Sequence, residues 1–103
     1  MDETVLIRDN PSAHRFEAAV DGEVAVATYR IDGQAITFIH TVVPQGLRGR
    51  GIATQLIRVA LAQSQARHLG VVPQCPLFAA YMQSHPETHA LLAPQGRILL
   101  GLA

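Results

Sequence analysis

Between an apolar run that ends at Val43 and an amphipathic stretch that begins at Ala53 lies Pro44-Gln45-Gly46-Leu47-Arg48-Gly49-Arg50-Gly51-Ile52, a turn with three glycines, two arginines and no acid. A strand has to stop before it and a helix has to start after it. Backbone amides at a helix start hold anions, and glycines let an anion come close. Arg48 and Arg50 add positive charge at the same corner. On spacing alone the turn is a phosphate cradle or, equally, a tight connection with solvated arginines.

The two sides of the turn have different periods. Before it, Val5-Leu6-Ile7 forms a short apolar run stopped by Asn10-Pro11-Ser12, and Phe16, Ala18 and Val20 alternate with Arg15 and Glu17. Asp21-Gly22 and Asp32-Gly33 are two-residue hairpin signals, and they bound strand-like runs over residues 23–31 and 34–43. After the turn, Ala53, Leu56, Ile57, Ala60, Leu61 and Ser64 repeat at helical spacing. Gly70 is placed to end that helix in a left-handed conformation, and Val71-Val72-Pro73 is long enough only for a brief strand. Pro76 suits the first position of a second, short helix with Leu77, Phe78, Tyr81 and Met82 on one face, closed by Pro86. The apolar tail Ile98-Leu99-Leu100 is compatible with pairing at a sheet edge, covering the core or dimerising. The expected architecture is α/β: a mostly antiparallel sheet whose last strand follows the main helix.

Composition narrows the function. At 103 residues and 49% hydrophobic content the chain suits one domain, residues 1–103. No apolar run reaches the length of about 20 residues that a membrane span needs, and Met1-Asp2-Glu3-Thr4 lacks the order of a signal peptide. With the lone Cys75, this makes a cytoplasmic location the expectation. Residues 1–32 carry three arginines against seven acids, whereas from Gly33 onward five arginines face Glu87 alone. The second half favours anions. Zero net charge, no lysine and 5% aromatic content are poor material for a nucleic-acid surface.

Two phosphate-binding motifs fail. A phosphate-loop NTPase needs lysine followed by serine or threonine after its glycines, and a dinucleotide fingerprint needs an acid about 20 residues further on. Neither is present. Arg48-Gly49-Arg50-Gly51-Ile52-Ala53 instead fits the Q/R-x-x-G-x-G/A signature, and through it the chain resembles the GNAT superfamily of acyl-CoA-dependent N-acyltransferases. Phe38-Ile39-His40-Thr41-x-Val43-Pro44, Pro73-x-Cys75-Pro76 and Tyr81 with His85-Pro86-Glu87 look like its small single-domain branch, a likeness running from about Tyr29 to Leu92.

The resemblance implies a GNAT-like fold and acetyl-CoA as a substrate. It implies that the pyrophosphate of coenzyme A rests on the amides of Arg48, Gly49, Arg50, Gly51, Ile52 and Ala53. The pantetheine arm would run along Thr41, Val42 and Val43, where this strand splays from the one after the helix. Cys75 and Tyr81 would then lie near the thioester.

Three side chains are candidates for the chemistry. Cys75, beside Pro76, adjoins a helix start whose field favours a thiolate, and it can carry the acyl group or serve the leaving thiolate; the same residue is also an ordinary buried thiol. His40 alternates with Ile36, Phe38 and Val42, and a neutral imidazole there can take a proton from the attacking amine or simply bond the backbone in a core. Related sequences often have glutamate where Val42 stands, so a carboxylate base is missing here. Tyr81 resembles the tyrosine that protonates the departing thiolate in many GNAT enzymes, though its place on an apolar stripe also describes a packed aromatic. His85 and His89 have a helix-breaking proline between them and no evident fourth ligand, so no metal is expected.

The reading is therefore an N-acetyltransferase acting on the primary amine of a peptide or small metabolite, by direct transfer or through acyl-Cys75, as a monomer or weak homodimer. The alternative is a CoA-binding or protein-interaction module that has lost catalysis.

Overall fold

A computed structural model of the chain describes residues 4–102. Met1, Asp2 and Glu3, on which the expectation about the chain's start rests, lie outside the described residues, as does Ala103. Five strands form one sheet in sequence order: β1 (Ile7–Asn10), β2 (Arg15–Val20), β3 (Glu23–Asp32), β4 (Ala35–Val42) and β5 (Gly70–Pro73). The first four are antiparallel neighbours, as their alternation predicts. β5 runs parallel to β4, an arrangement that needs a crossover, and α1 (Ile52–Ala66) supplies it. Two short helices follow, α2 (Pro76–Ser84) and α3 (Pro94–Leu99). The fold is α/β as expected; α3 is an addition.

Local chemistry explains most boundaries. Asp21 and Gly22 both have positive φ (52° and 78°), the conformation their hairpin demands. The next hairpin is shifted by one residue: Asp32 pairs with Ala35, so the central residues are Gly33 and Gln34, and only Gly33 has positive φ. The end of α1 also differs from expectation. His68 takes the left-handed conformation, while Gly70 lies in β5, where a Cβ would come within 2.9 Å of Ala93 Cβ. The tail covers the edge of β5: Leu92 bridges Val71, the Ala93 amide donates to the Val71 carbonyl at 3.0 Å, and Leu100 is buried. Without it β5 would present an unpaired edge.

One face of the sheet is covered throughout, the other only at β4 and β5, where the paired Thr37 and Val72 are buried. Phe16, Ala18, Ala25, Ala27, Tyr29, Ile36 and Phe38 point inward and join Leu56, Ile57, Ala60 and Leu61 of α1 in one buried cluster. Phe78 and Met82 bring α2 into it, with Phe78 stacked on Phe38 at 4.2 Å; Leu77, expected on the same face, is exposed. On the outer face of β2 and β3, Ala19 and Val24 remain exposed.

A single inserted residue changes which side chains of β4 share a face. Tyr29 pairs with Phe38 but its neighbour Thr28 pairs with His40, so Ile39 has no partner of its own. This is a β-bulge, and it reverses the alternation beyond it. Thr41 therefore stands opposite buried Ala27, whereas His40 and Val42 stand opposite Thr28 and Val26 on the outer face. The expectation that His40 shares a face with Ile36 and Phe38 is overturned: it is exposed.

Candidate functional site

The pairing of β4 with β5 ends at Phe38 and Pro73. One more bond follows, from the Cys75 amide to the Phe38 carbonyl at 2.8 Å, and then Pro76 turns the chain into α2. Beyond that point β4 keeps β3 on one side and, among the described residues, has no strand on the other. This end of the pairing is a gap in the sheet beside Thr41 and Val42, next to the unpaired Ile39. An extended ligand can bond such a free strand edge as another strand would.

The two walls of the gap differ chemically. On the helix side Thr41 Oγ1 and Cys75 Sγ are 3.3 Å apart in hydrogen-bond contact, and Cys75 is 3% exposed at the N-cap of α2. On the outer side stand the exposed His40 and Val42. The bulge is thus what sets the Thr41 hydroxyl against the Cys75 thiol on one side of the gap and the imidazole on the other.

Below the gap the chain makes the glycine turn. A short 3-10 turn, Gln45–Leu47, buries Leu47 as an anchor. Gly49 and Gly51 then take positive φ (77° and 76°) on either side of Arg50, and alternating backbone handedness of this kind turns successive N–H groups to one side. A Cβ on Gly49 would meet nothing within 4 Å, so the turn faces open space. Gly51 is the N-cap of α1, and no side chain caps the helix there. Among the described residues, no side chain caps the first amides of this 15-residue helix. This donor set fits a diphosphate.

The expectation that no acid attends the turn holds along the sequence but not in space. Arg50 Nη1 bonds Asp21 Oδ2 at 2.9 Å, and the Glu23 carboxylate lies against Gly46, so close that a Cβ there would be 2.6 Å from it. Both acids come from the β2–β3 hairpin. Arg48 Nε donates to the Val43 carbonyl at 3.2 Å, tying the turn to the end of the strand run. The arginines are therefore braced, Arg50 by a carboxylate and Arg48 by a carbonyl.

Cys75, Thr41, Val42, Val43 and the turn are thus brought together, with His40 on the outer side. Tyr81 is set apart. Its hydroxyl accepts from Arg58 Nε at 3.3 Å, its ring stacks on His85 at 3.8 Å, and it lines a cavity of about 310 Å³ with Leu61, Gln65, Glu87 and Leu91. No residue of the gap or of the turn lines that cavity. His85 Nδ1 and His89 Nε2 contact the carbonyls of Tyr81 and Met82 at 2.7 and 2.8 Å, so they satisfy the last turn of α2. Another cavity, about 390 Å³ between Pro11, His14, Tyr29, Ile31 and Arg67, adjoins the Asp9 carboxylate that binds the Tyr29 hydroxyl at 2.7 Å. Burial first, and Asp9 second, push the Tyr29 phenol up to about 12.

Sequence reasoning did not find the Thr41 side chain, which it had valued only for its backbone. Its trace in the sequence is the adjacent polar pair His40 and Thr41 after the adjacent apolar pair Phe38 and Ile39, a break in alternation that does not say which of the residues turns inward.

The geometry agrees with comparison to known proteins. A family model described as GCN5-related N-acetyl-transferase matches residues 15–91 of the 103, from β2 through the 3-10 segment Pro86–Leu91 after α2. No curated protein matches the chain.

Proposed function

The chain belongs to the GCN5-related N-acetyltransferase family, and we propose that its residues 1–103 act as one domain that transfers the acetyl group of acetyl-CoA directly to a primary amine. Family membership carries acetyltransferase function with acetyl-CoA as substrate. The observation that supports the finer reading is the gap beside Thr41, open on the outer side and placed above a helix start with no side-chain cap.

In this reading residues 48–53 take the diphosphate of acetyl-CoA and residues 41–43 take its pantetheine arm along the free strand edge. The thioester then lies in the gap, in the plane of the sheet. Cys75 and Thr41 close the helix side, so the amine arrives from the outer face, where His40 accepts its proton directly or through water. Nitrogen bonds to the carbonyl carbon, the carbon–sulfur bond breaks, and Cys75 gives its proton to the departing CoA sulfur. Protons exchanged with water restore both side chains. Proton donation is assigned to Cys75 rather than to Tyr81, because Arg58 holds the Tyr81 hydroxyl in another cavity. Holding thioester and amine in line removes about 7 to 11 kcal/mol of barrier, so positioning carries most of the catalysis. The same reading takes the protein to be cytoplasmic and a monomer or weak homodimer.

The test is the melting temperature in CoA, acetyl-CoA, ATP and NAD, with and without a Gly51→Val substitution. A ligand that binds only the folded chain raises it by mass action. We expect CoA and acetyl-CoA to raise it in the wild type and neither to do so in Gly51→Val, whose side chain is strained at positive φ and intrudes on the amides. No shift with CoA removes the proposal. A shift without transfer to any amine leaves a binding module, and acetyl-Cys75 accumulating in the absence of acceptor replaces direct transfer by a two-step route.

A further inference from the structure

The outer face of the sheet names the class of amine. Resting on the transferase reading, we propose that the acceptor is a primary amine on an apolar body, an alkyl- or arylalkylamine, that lies across the outer face of β4, β3 and β2 with its nitrogen at His40.

Entry is possible from one side only, since Thr41, Cys75 and α2 close the other. From the mouth of the gap the register lays out the surface an acceptor must cross. Val42 stands beside Val26, Val26 beside Glu17, and Glu17 beside Arg8. In the next row Val24 stands beside Ala19, and Leu6 lies close by. Val42, Val24 and Leu6 are 56%, 43% and 85% exposed. Leu6, Arg8, Glu17, Ala19 and Val24 enclose a cavity of about 290 Å³ on the same face. Two strand spacings separate Val42 from that cavity, about 10 Å, or roughly the length of an eight-carbon chain.

Charge argues against a polyamine. The one carboxylate in these rows, Glu17, accepts from Arg15 Nε at 2.7 Å and Asn10 Nδ2 at 3.0 Å, with Arg8 Nε at 3.7 Å. Two guanidiniums therefore outweigh it. Arg30, further along the face, is engaged by Asp32 at 2.7 Å. A second ammonium centre entering this surface meets net positive charge, whereas a methylene chain meets valine and alanine.

The experiment measures kcat/KM of acetyl transfer from acetyl-CoA to butylamine, hexylamine, octylamine and spermidine. The value is expected to rise about twofold per methylene, as for a chain buried on one side, with spermidine below octylamine. Val26→Asp and, as a second variant on the more exposed position, Val24→Asp should erase the length dependence through KM while the CoA-induced rise in melting temperature persists. Flat length dependence, a preference for spermidine, indifference to both substitutions, or a stable dimer that buries this face each overturn the proposal. Transfer with the wrong amine preference sinks only the acceptor class; absence of both CoA binding and transfer sinks the transferase reading as well.

Discussion

The two halves of β4 are a few residues apart and live under different physics. From Ala35 to Phe38 the strand is paired on both sides, with Ile36, Thr37 and Phe38 buried. From His40 onward it is paired on one side only, and His40 and Val42 are exposed. The first half welds the sheet to the helices; the second is free to meet a ligand. What separates them is Ile39, the residue without a partner. The extra residue turns the following side chains over, and the departure of the chain from β5 into α2 leaves that part of β4 with a strand on one side only.

The sharpest way to break this contrast is to treat both halves alike. Phe38→Ala removes a ring stacked on Phe78 in the buried cluster and should cost about 3 to 5 kcal/mol in urea unfolding. Val42→Ala, on the exposed half, should change stability within about 0.5 kcal/mol. Equal costs would show that the two halves are not distinct. Next in size is His40→Gln, which should lower kcat of acetyl transfer about a hundredfold, the contribution of a single general base, and leave the melting temperature and the CoA-induced shift unchanged. Loss of stability in that variant would return His40 to a structural role.

The smallest effect lies in the buried half. Tyr29, paired with Phe38, has its phenol pushed up to about 12 by burial and by its bond to Asp9. Its folded value is above the unfolded one, near 10, so its contribution to stability is complete below pH 10 and fades as pH rises towards 12. An ultraviolet titration of the two tyrosines should show one phenolate appearing near pH 12, and Tyr29→Phe should abolish that step. Glu17 has the opposite sign: its hydrogen bond from Arg15, then that from Asn10, lowers it, so what it adds is lost only in acid.

Several features were legible because they depend on neighbours in sequence. The stripe from Ala53 to Ser64 set α1, Asp21-Gly22 set a hairpin, Pro76 set the start of α2, and Arg48 to Ala53 carried the family signature. The end of α1 was misplaced because His68 adopts the left-handed conformation that Gly70 was expected to take, and Gly70 is small for a different reason, the approach of Ala93. That approach joins residues far apart in the chain, and no local pattern records it.

By itself, then, the sequence determined the fold class, the order of strands and helices as far as α2, and the glycine turn at the start of α1, since periodicity and turn chemistry act over a few residues. Only the tertiary structure decided the face of His40, the contact between Thr41 and Cys75, and the bracing of Arg50 by Asp21. The physical reason is that a bulge has no intrinsic conformational signature in Phe38-Ile39-His40-Thr41. It is visible only in the pairing of β4 with β3, whose partners shift by one residue between Tyr29 and Thr28.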